Sequence, residues 1–359
     1  MNADVLELSA PQRISVLHVT ECLEGGVLQA VARYVDLASA SGIDSTVVGR
    51  VRSADRQAEC QCPTHIELGL FRLIMRYRAV RRTLRPDVIH IHSTKAAIFA
   101  RLMPTGGAKI VYSPHCFAFN IRGKARLVRI GVVWVERILA KRTSAYAVLT
   151  PYEAESARRV GGVRIPVAIT PNVPVEPQRN LQDLPAARDV DSDLRIISIG
   201  RYADQKNPPL AHQVVSGLSE QGVDYAYTWI GSADDPNEAT LFPVTGWLSQ
   251  EQVIDHIQSA HILLHSAAWE GFPLVILDAI SLGLPVVAHN LPEYAGILID
   301  GLYDDAQGGQ LAIKELSSAT KRKELIARQR ATLQQFIDAN PVSNLPDLYH
   351  KICGGSPYA

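Results

Sequence analysis

Four charged side chains and a pair of glycines carry the chemistry that can be read along this chain. Arg201 and Lys206 stand five residues apart, just after an apolar run, LRIISIG (194–200), that reads as a strand. At a strand C-end such a pair can converge on one diphosphate, the guanidinium offering a fork of donors and the ammonium a compact charge. Glu270 and Gly271 follow a second apolar run (262–264), and a helix opens at Pro273 before another strand begins at Pro285. In open parallel sheets ligands sit where strand C-ends meet helix N-ends, which is where Glu270 and Gly271 fall. Asp278 lies eight residues after Glu270, two helical turns in. With Glu270 capping the helix from outside, the two carboxylates would share one rim and suit an extended ligand with hydroxyls at both ends. Near the start, the strand RISVLHV (13–19) leads to Gly25-Gly26, which precede an amphipathic helix from Val27 to about Ser39. Glycines let backbone N–H groups approach an anion closely, so the pair is a candidate phosphate cradle. The competing readings are a buried α/β unit in which Glu270 only caps a helix, and a plain loop at Gly25-Gly26.

These residues need a scaffold of alternating strands and helices, and the pattern supplies one. Strands are expected near 45–51, 65–70, 87–93, 109–115, 145–150 and 167–171, separated by helical stretches, and again at 194–200 and 225–231. That alternation predicts α/β architecture with doubly wound parallel sheets. A chain of 359 residues exceeds the size at which a single core stops growing, so two domains are expected. The Pro- and Asp-rich, aperiodic segment 174–193 marks the boundary, giving domains 1–178 and 179–340 and a closing helix within 341–359.

Net charge is zero, yet residues 1–178 carry 24 Lys+Arg against 14 Asp+Glu, leaving 12 against 22 for the remainder. A basic first half faces something anionic. Nucleic acid is not expected, because the basic residues are not interleaved with aromatics and no recognition motif is present. An anionic membrane surface fits better: 71–85 and 122–142 are basic helical segments with Leu73, Met75, Tyr77, Val80 and Trp134 among the charges. The alternative is an ordinary solvated helix face over the sheet. No apolar run is long enough to span a bilayer and no export signal opens the chain, so a cytoplasmic protein, peripheral at the inner face of the membrane, is expected. The five cysteines are scattered without zinc-site spacing, and no acidic or His cluster has metal-ligand spacing, so neither a metal nor a cofactor is expected.

The stretch Glu270-GFPLVIL-Asp278 resembles the Glu-x7-Glu signature of the retaining glycosyltransferases of family 4, which have two Rossmann-like domains facing each other across a cleft, the GT-B fold. Here the second carboxylate is Asp. Other segments carry the same resemblance: Arg201…Lys206-Asn207 is similar to the family's GR…KN, Pro171-Asn172-Val173 to its PNG, and Leu291-Pro292-Glu293 to its xPE. His92-Ser93-Thr94-Lys95-Ala96-Ala97 with Ser113-Pro114-His115 resembles the HSSKAG…TPHG pattern of members that assemble bacterial capsule, exopolysaccharide and lipopolysaccharide repeats. Cys116 stands where that subgroup often has Gly. The segment 231–241 is shorter than the family's GDG and helix, and Gly301-Leu302-Tyr303-Asp304 replaces NGxLV.

The resemblance implies a metal-independent transferase that moves a sugar with retention from a nucleotide-sugar donor, UDP- or GDP-linked, to a saccharide acceptor on a polyprenyl diphosphate. It implies that Arg201, Lys206 and the Gly25-Gly26 amides meet the diphosphate. Asp278 would hold the ribose, and Glu270 with Gly271, Phe272, Pro273 and Leu274 the donor sugar. His115 would lie near that sugar, Asn172 at the cleft floor, Gly246-Trp247 at the base and Lys95 on the acceptor side. Two other classes stay open: a nucleotide-sugar epimerase on the same architecture, and a non-catalytic sugar-nucleotide-binding protein.

Overall fold

The structure is a computed structural model that describes residues 13–51, 60–123, 125–174, 193–233, 239–298, 300–341 and 343–354. The expected linker at 174–193 falls almost wholly outside the described residues, as does Asp234-Asp235-Pro236.

The first lobe is a seven-stranded parallel sheet in the order β3-β2-β1-β4-β5-β6-β7. Its strands are β1 (Ser15–Thr20), β2 (Asp44–Arg50), β3 (Thr64–Glu67), β4 (Val88–His92), β5 (Lys109–Ser113), β6 (Ala145–Val148) and β7 (Val167–Ile169). Helices cover both faces: α1 (Gly25–Ala40), α2 (Leu70–Leu84), α3 (Thr94–Leu102), α4 (Arg126–Ala140) and α5 (Pro151–Gly161). Covered on both sides, β4 is buried at all five positions, as parallel strands require. The second lobe is a five-stranded parallel sheet in the order β12-β11-β10-β8-β9. It comprises β8 (Leu194–Ile199), β9 (Tyr225–Ile230), β10 (Ile262–His265), β11 (Val286–His289) and the short edge strand β12 (Leu302–Tyr303). Gly301-Leu302-Tyr303 thus continues the sheet although the family pattern is lost there. Its helices are α6 (Pro208–Ser216), α7 (Gln250–Ser259), α8 (Leu274–Ser281), α9 (Ala306–Glu315) and α10 (Ala319–Ala339).

In each sheet the strand order reverses once, between β1 and β4 and between β8 and β10, and at such switch points the loops part to leave a crevice. The last helix, α11 (Asn344–Cys353), leaves the second lobe. Whereas α10 is tied to β11 by Gln329, which exchanges hydrogen bonds with the Val286 backbone (3.0 and 2.7 Å), α11 packs Leu345, Leu348 and Tyr349 against Val16, Tyr34 and Val111 of the first.

The structure corrects several sequence-based element bounds. Gly25 and Gly26 do not precede α1 but are its first two residues. Between the strands expected at 194–200 and 225–231, α6 ends at Ser216 and gives way to a 3-10 turn at Ser219–Gln221. The strand expected at 65–70 stops at Glu67 because α2 begins at Leu70.

Candidate active site

The second lobe contributes a compact ion-pair centre at its switch point. β8 runs out through Gly200 and Arg201 into a 3-10 turn, Asp204–Lys206, while β10 runs out through His265 into the loop that ends at Glu270. The two loops are laced together: Ser266 Oγ donates to the Lys206 carbonyl (2.7 Å), and the Ala268 N–H donates to the Gln205 carbonyl (2.8 Å). Held this way, Lys206 Nζ lies 2.5 Å from Glu270 Oε1, and both side chains are largely buried. His265 Nε2 approaches the same oxygen at 3.4 Å, and Gln205 Nε2 reaches Glu270 Oε2 at 3.4 Å. Burial by itself would raise the Glu270 pKa; the Lys206 charge and His265 more than offset it and hold the carboxyl at about 2. Burial and the same ammonium push His265 down, so it sits beside the pair as a neutral ring.

Backbone space is tight here. Gly200 underlies the lysine stem, where a Cβ would come within 2.7 Å of Lys206 Cε. Gly231 has φ +141° and leaves no room for a Cβ against the Gly200 carbonyl. Glu270 does not cap α8, contrary to the rim expected from sequence: its carboxylate is committed to Lys206, and α8 begins behind Pro273 with no side-chain cap.

Three contacts join this centre to the first lobe. A Cβ on Gly271 would lie 2.8 Å from the His115 carbonyl, so only glycine lets the two backbones approach. The buried Asn172 donates from Nδ2 to the Phe272 carbonyl (2.9 Å). A Cβ on Gly26 would touch Leu274 Cδ1 at 3.7 Å, which sets the N-terminus of α1 against that of α8. Among the described residues neither N-cap residue, Glu24 or Pro273, makes a side-chain cap hydrogen bond, so two neighbouring helix starts present N-terminal amides, a setting suited to phosphate oxygens.

Comparison with known proteins bears directly on this arrangement. Residues 25–173 match the family described as glycosyl transferase 4-like domain, and residues 184–308 match glycosyl transferases group 1. The chain belongs to the GT4-like glycosyltransferases with the GT-B fold. An uncharacterized 41.2 kDa protein in the cps region of Klebsiella pneumoniae is 26% identical over 309 residues, 80% of this chain and 84% of that protein. The UDP-Gal:alpha-D-GlcNAc-diphosphoundecaprenol alpha-1,3-galactosyltransferase of Escherichia coli is 24% identical over 263 residues, 64% of this chain and 66% of its own. Among solved structures, sucrose-phosphate synthase from Thermosynechococcus elongatus has the same fold, with a TM-score of 0.75 at 16% identity over 96% of this chain and 100% of that one.

The remaining expected positions of this glycosyltransferase are placed as follows. Arg201 is half-buried one residue beyond Gly200. Asp278 lies on α8, one turn past Leu274, and is half-buried. Gly246 donates its N–H to the Gly231 carbonyl (3.0 Å), and Trp247 beside it is exposed, so both stand at the C-end of β9. Pro273 is buried as the residue before α8. Lys95 is exposed on the first turn of α3 and shares no hydrogen bond or ion pair, among the described residues, with the group around Glu270. The α3 N-terminus itself is taken by Glu21, which accepts from Ser93 Oγ and from the Ala96 N–H (3.0 Å).

Several residues that complete the site were not found from sequence. His265 closes the apolar strand β10, and nothing in its local sequence marks it as a site residue. Glu153 accepts from the Cys116 N–H (2.8 Å) and so pins the loop in which His115 and Cys116 both have positive φ, of 52° and 109°. Cys116 thus adopts, unaided by glycine, the backbone that the family pattern assigns to Gly. His18, His90 and His92 form a buried group beneath His115. Their signal was legible: alternate residues of a strand share a face, and β1 pairs with β4 so that His18 is opposite His90.

Proposed function

We propose that this glycosyltransferase moves a sugar from a UDP-linked donor, with retention and without a metal, to a saccharide on a polyprenyl diphosphate in bacterial surface polysaccharide synthesis. The observation that carries the reading is the Lys206–Glu270 pair set beside two uncapped helix starts and against the His115 loop. As the bond between the sugar's anomeric carbon and the diphosphate breaks, its electrons leave with the nucleoside diphosphate. Lys206, Arg201 and the amides of α1 and α8 would meet that charge with fixed donors. Glu270, ionised and anchored, keeps Lys206 in place and offers its remaining lone pairs to donor hydroxyls. The acceptor hydroxyl attacks on the face the diphosphate leaves, and its proton passes to a departing phosphate oxygen. The donor and acceptor classes are those of the Escherichia coli relative.

A membrane-borne acceptor calls for a surface that meets the bilayer, and α2 and α4 supply one. Helix α4 buries only Glu136, Leu139 and Ala140, while Leu127 (82%), Trp134 (59%) and Ile138 (61%) are exposed among Arg126, Arg129 and Arg137. Helix α2 exposes Phe71 and Met75 beside Arg72, Arg76 and Arg78. An apolar ridge flanked by arginines suits the interface of an anionic leaflet, where each charge contributes about 1 kcal/mol. No helix among the described residues is long and apolar enough to cross a membrane.

The test is a panel of nucleotide sugars incubated with the full chain and a synthetic polyprenyl-diphosphate saccharide, following released nucleoside diphosphate and the anomeric configuration of the product by NMR. A UDP-sugar turned over to a retained product in the presence of EDTA is expected. An inverted product, or activity lost to EDTA and restored by a divalent cation, would overturn the corresponding part of the reading.

A further inference from the structure

Three histidines are joined in a line that runs from the core to the cleft. His18 Nδ1 lies 3.0 Å from His92 Nε2, and His92 Nδ1 lies 3.0 Å from His115 Nε2. At both junctions the ring centroids are 5.3 Å apart and the planes differ by only 20° and 14°, the arrangement of rings bonded edge to edge in plane. The chain is therefore head to tail, each ring using Nδ1 toward the next ring's Nε2. His18 and His92 are fully buried, whereas His115 keeps some exposure. At the inner end His18 Nε2 is buried and has no hydrogen-bond partner among the described residues.

His90 stands beside the chain but outside it, with Tyr349 Oη at 2.6 Å and Ser113 Oγ at 2.8 Å on its two nitrogens. A nitrogen of each of His18, His90 and His92 falls within 4.8 Å of the others, yet His90 lies face to face on His92 at 4.3 Å. Stacked rings with occupied nitrogens do not aim lone pairs at a common point, so the cluster orders protons rather than a metal.

Burial drives the pKa of His18 down to about 3, that of His115 to about 4, and that of His92 well below the ordinary value, so all three rings are neutral near pH 7. A neutral imidazole has one N–H and one lone pair, so the choice made at one ring fixes the next. Two states exist. With every proton on Nδ1, each ring donates outward and His18 Nε2 keeps a lone pair. With every proton on Nε2, His18 points an N–H into the core at nothing. Buried donors without an acceptor are rarer than under-used acceptors, which favours the first state.

We propose that His18 and His92 are positioning residues that hold His115 as its Nδ1–H tautomer, so that it offers a hydrogen-bond donor to an oxygen of the nucleotide sugar. The contact with the sugar rests on the function proposed above; the tautomer does not.

The test uses full-length protein with 15N-labelled histidine, reading ring protonation from two-bond proton–nitrogen correlations, with His115 assigned by its loss in His115→Gln. His115 is expected to carry its proton on Nδ1 without titrating between about pH 5.5 and 8. In His92→Leu it should relax toward the Nε2–H form that free histidine prefers. Release of UDP from UDP-galactose should then fall on the order of tenfold in kcat, the worth of one hydrogen bond, with KM nearly unchanged. His18→Asn, whose amide can donate where Nδ1 did, should keep both the tautomer and most of the turnover, and His18→Leu should keep less of each. A purely structural role would not produce this split or the rescue by Asn. A wild-type His115 protonated on Nε2, or an unchanged signature in His92→Leu, overturns the chain. The expected spectra with wild-type turnover in both His115→Gln and His92→Leu instead overturn the placement of His115 against the donor.

Discussion

Replacing Lys206 by Met keeps the length of the side chain and removes the charge that holds Glu270 ionised, so its cost can be worked from the pair itself. Glu270 falls from an ordinary 4.5 to about 2 in the folded protein although burial alone would push it upward. At roughly 1.4 kcal/mol for each tenfold change in proton affinity, that is about 3 kcal/mol of differential stabilisation. Breaking one partner of a buried pair leaves the other desolvated and alone, which points to the same size of loss. The sign follows from the depression: the contribution is fully present above about pH 4.5 and is lost as pH falls toward about 2. Urea unfolding of wild type, Lys206→Met, Glu270→Gln and the double variant at about pH 7 should give a coupling energy of about 3 kcal/mol, with most of the loss recovered in the double variant. Repeated at about pH 3, the gap between wild type and Lys206→Met should narrow. A coupling below about 1 kcal/mol at pH 7, or a gap that widens on acidification, would refute the reasoning.

Other outcomes can be checked in the same preparation. Arg201→Ala should lower turnover by roughly 100-fold with an unchanged circular dichroism spectrum, because a cation is lost from the developing diphosphate charge. Asp278→Asn should weaken UDP binding in calorimetry, since charge-assisted hydrogen bonds are about twice as strong as neutral ones, while Asp278→Glu should not tighten it. Gly271→Ala forces a Cβ to 2.8 Å from the His115 carbonyl and should cost about 1–3 kcal/mol by urea unfolding together with most of the activity. Trp134→Ser and Leu127→Ser should release the protein from vesicles containing phosphatidylglycerol in sedimentation. Raising salt, which shortens the Debye length from about 10 Å at 0.1 M, should weaken the same binding.

The sequence by itself determined the architecture and the groups with a local signature. Apolar runs alternating with amphipathic stretches were enough for two parallel sheets, because period and length are properties of each segment alone. Arg201, Lys206, Glu270 and Gly271 were likewise legible, since each sits where a strand ends. What Glu270 does was decided only by tertiary structure. Along the chain it reads as a helix cap, but the switch point between β8 and β10 brings Lys206 to 2.5 Å, and a charge 64 positions away outcompetes a helix end nearby. Asn172 and Gly271 acquire their meaning from partners 100 or more positions distant, Phe272 and His115, which no local pattern encodes. The same holds for the histidines. His90 and His92 declare a shared face by their spacing, but the line from His18 to His115 exists only because β1 lies beside β4 and β4 beside β5, a neighbourhood that parallel crossovers create and sequence order conceals.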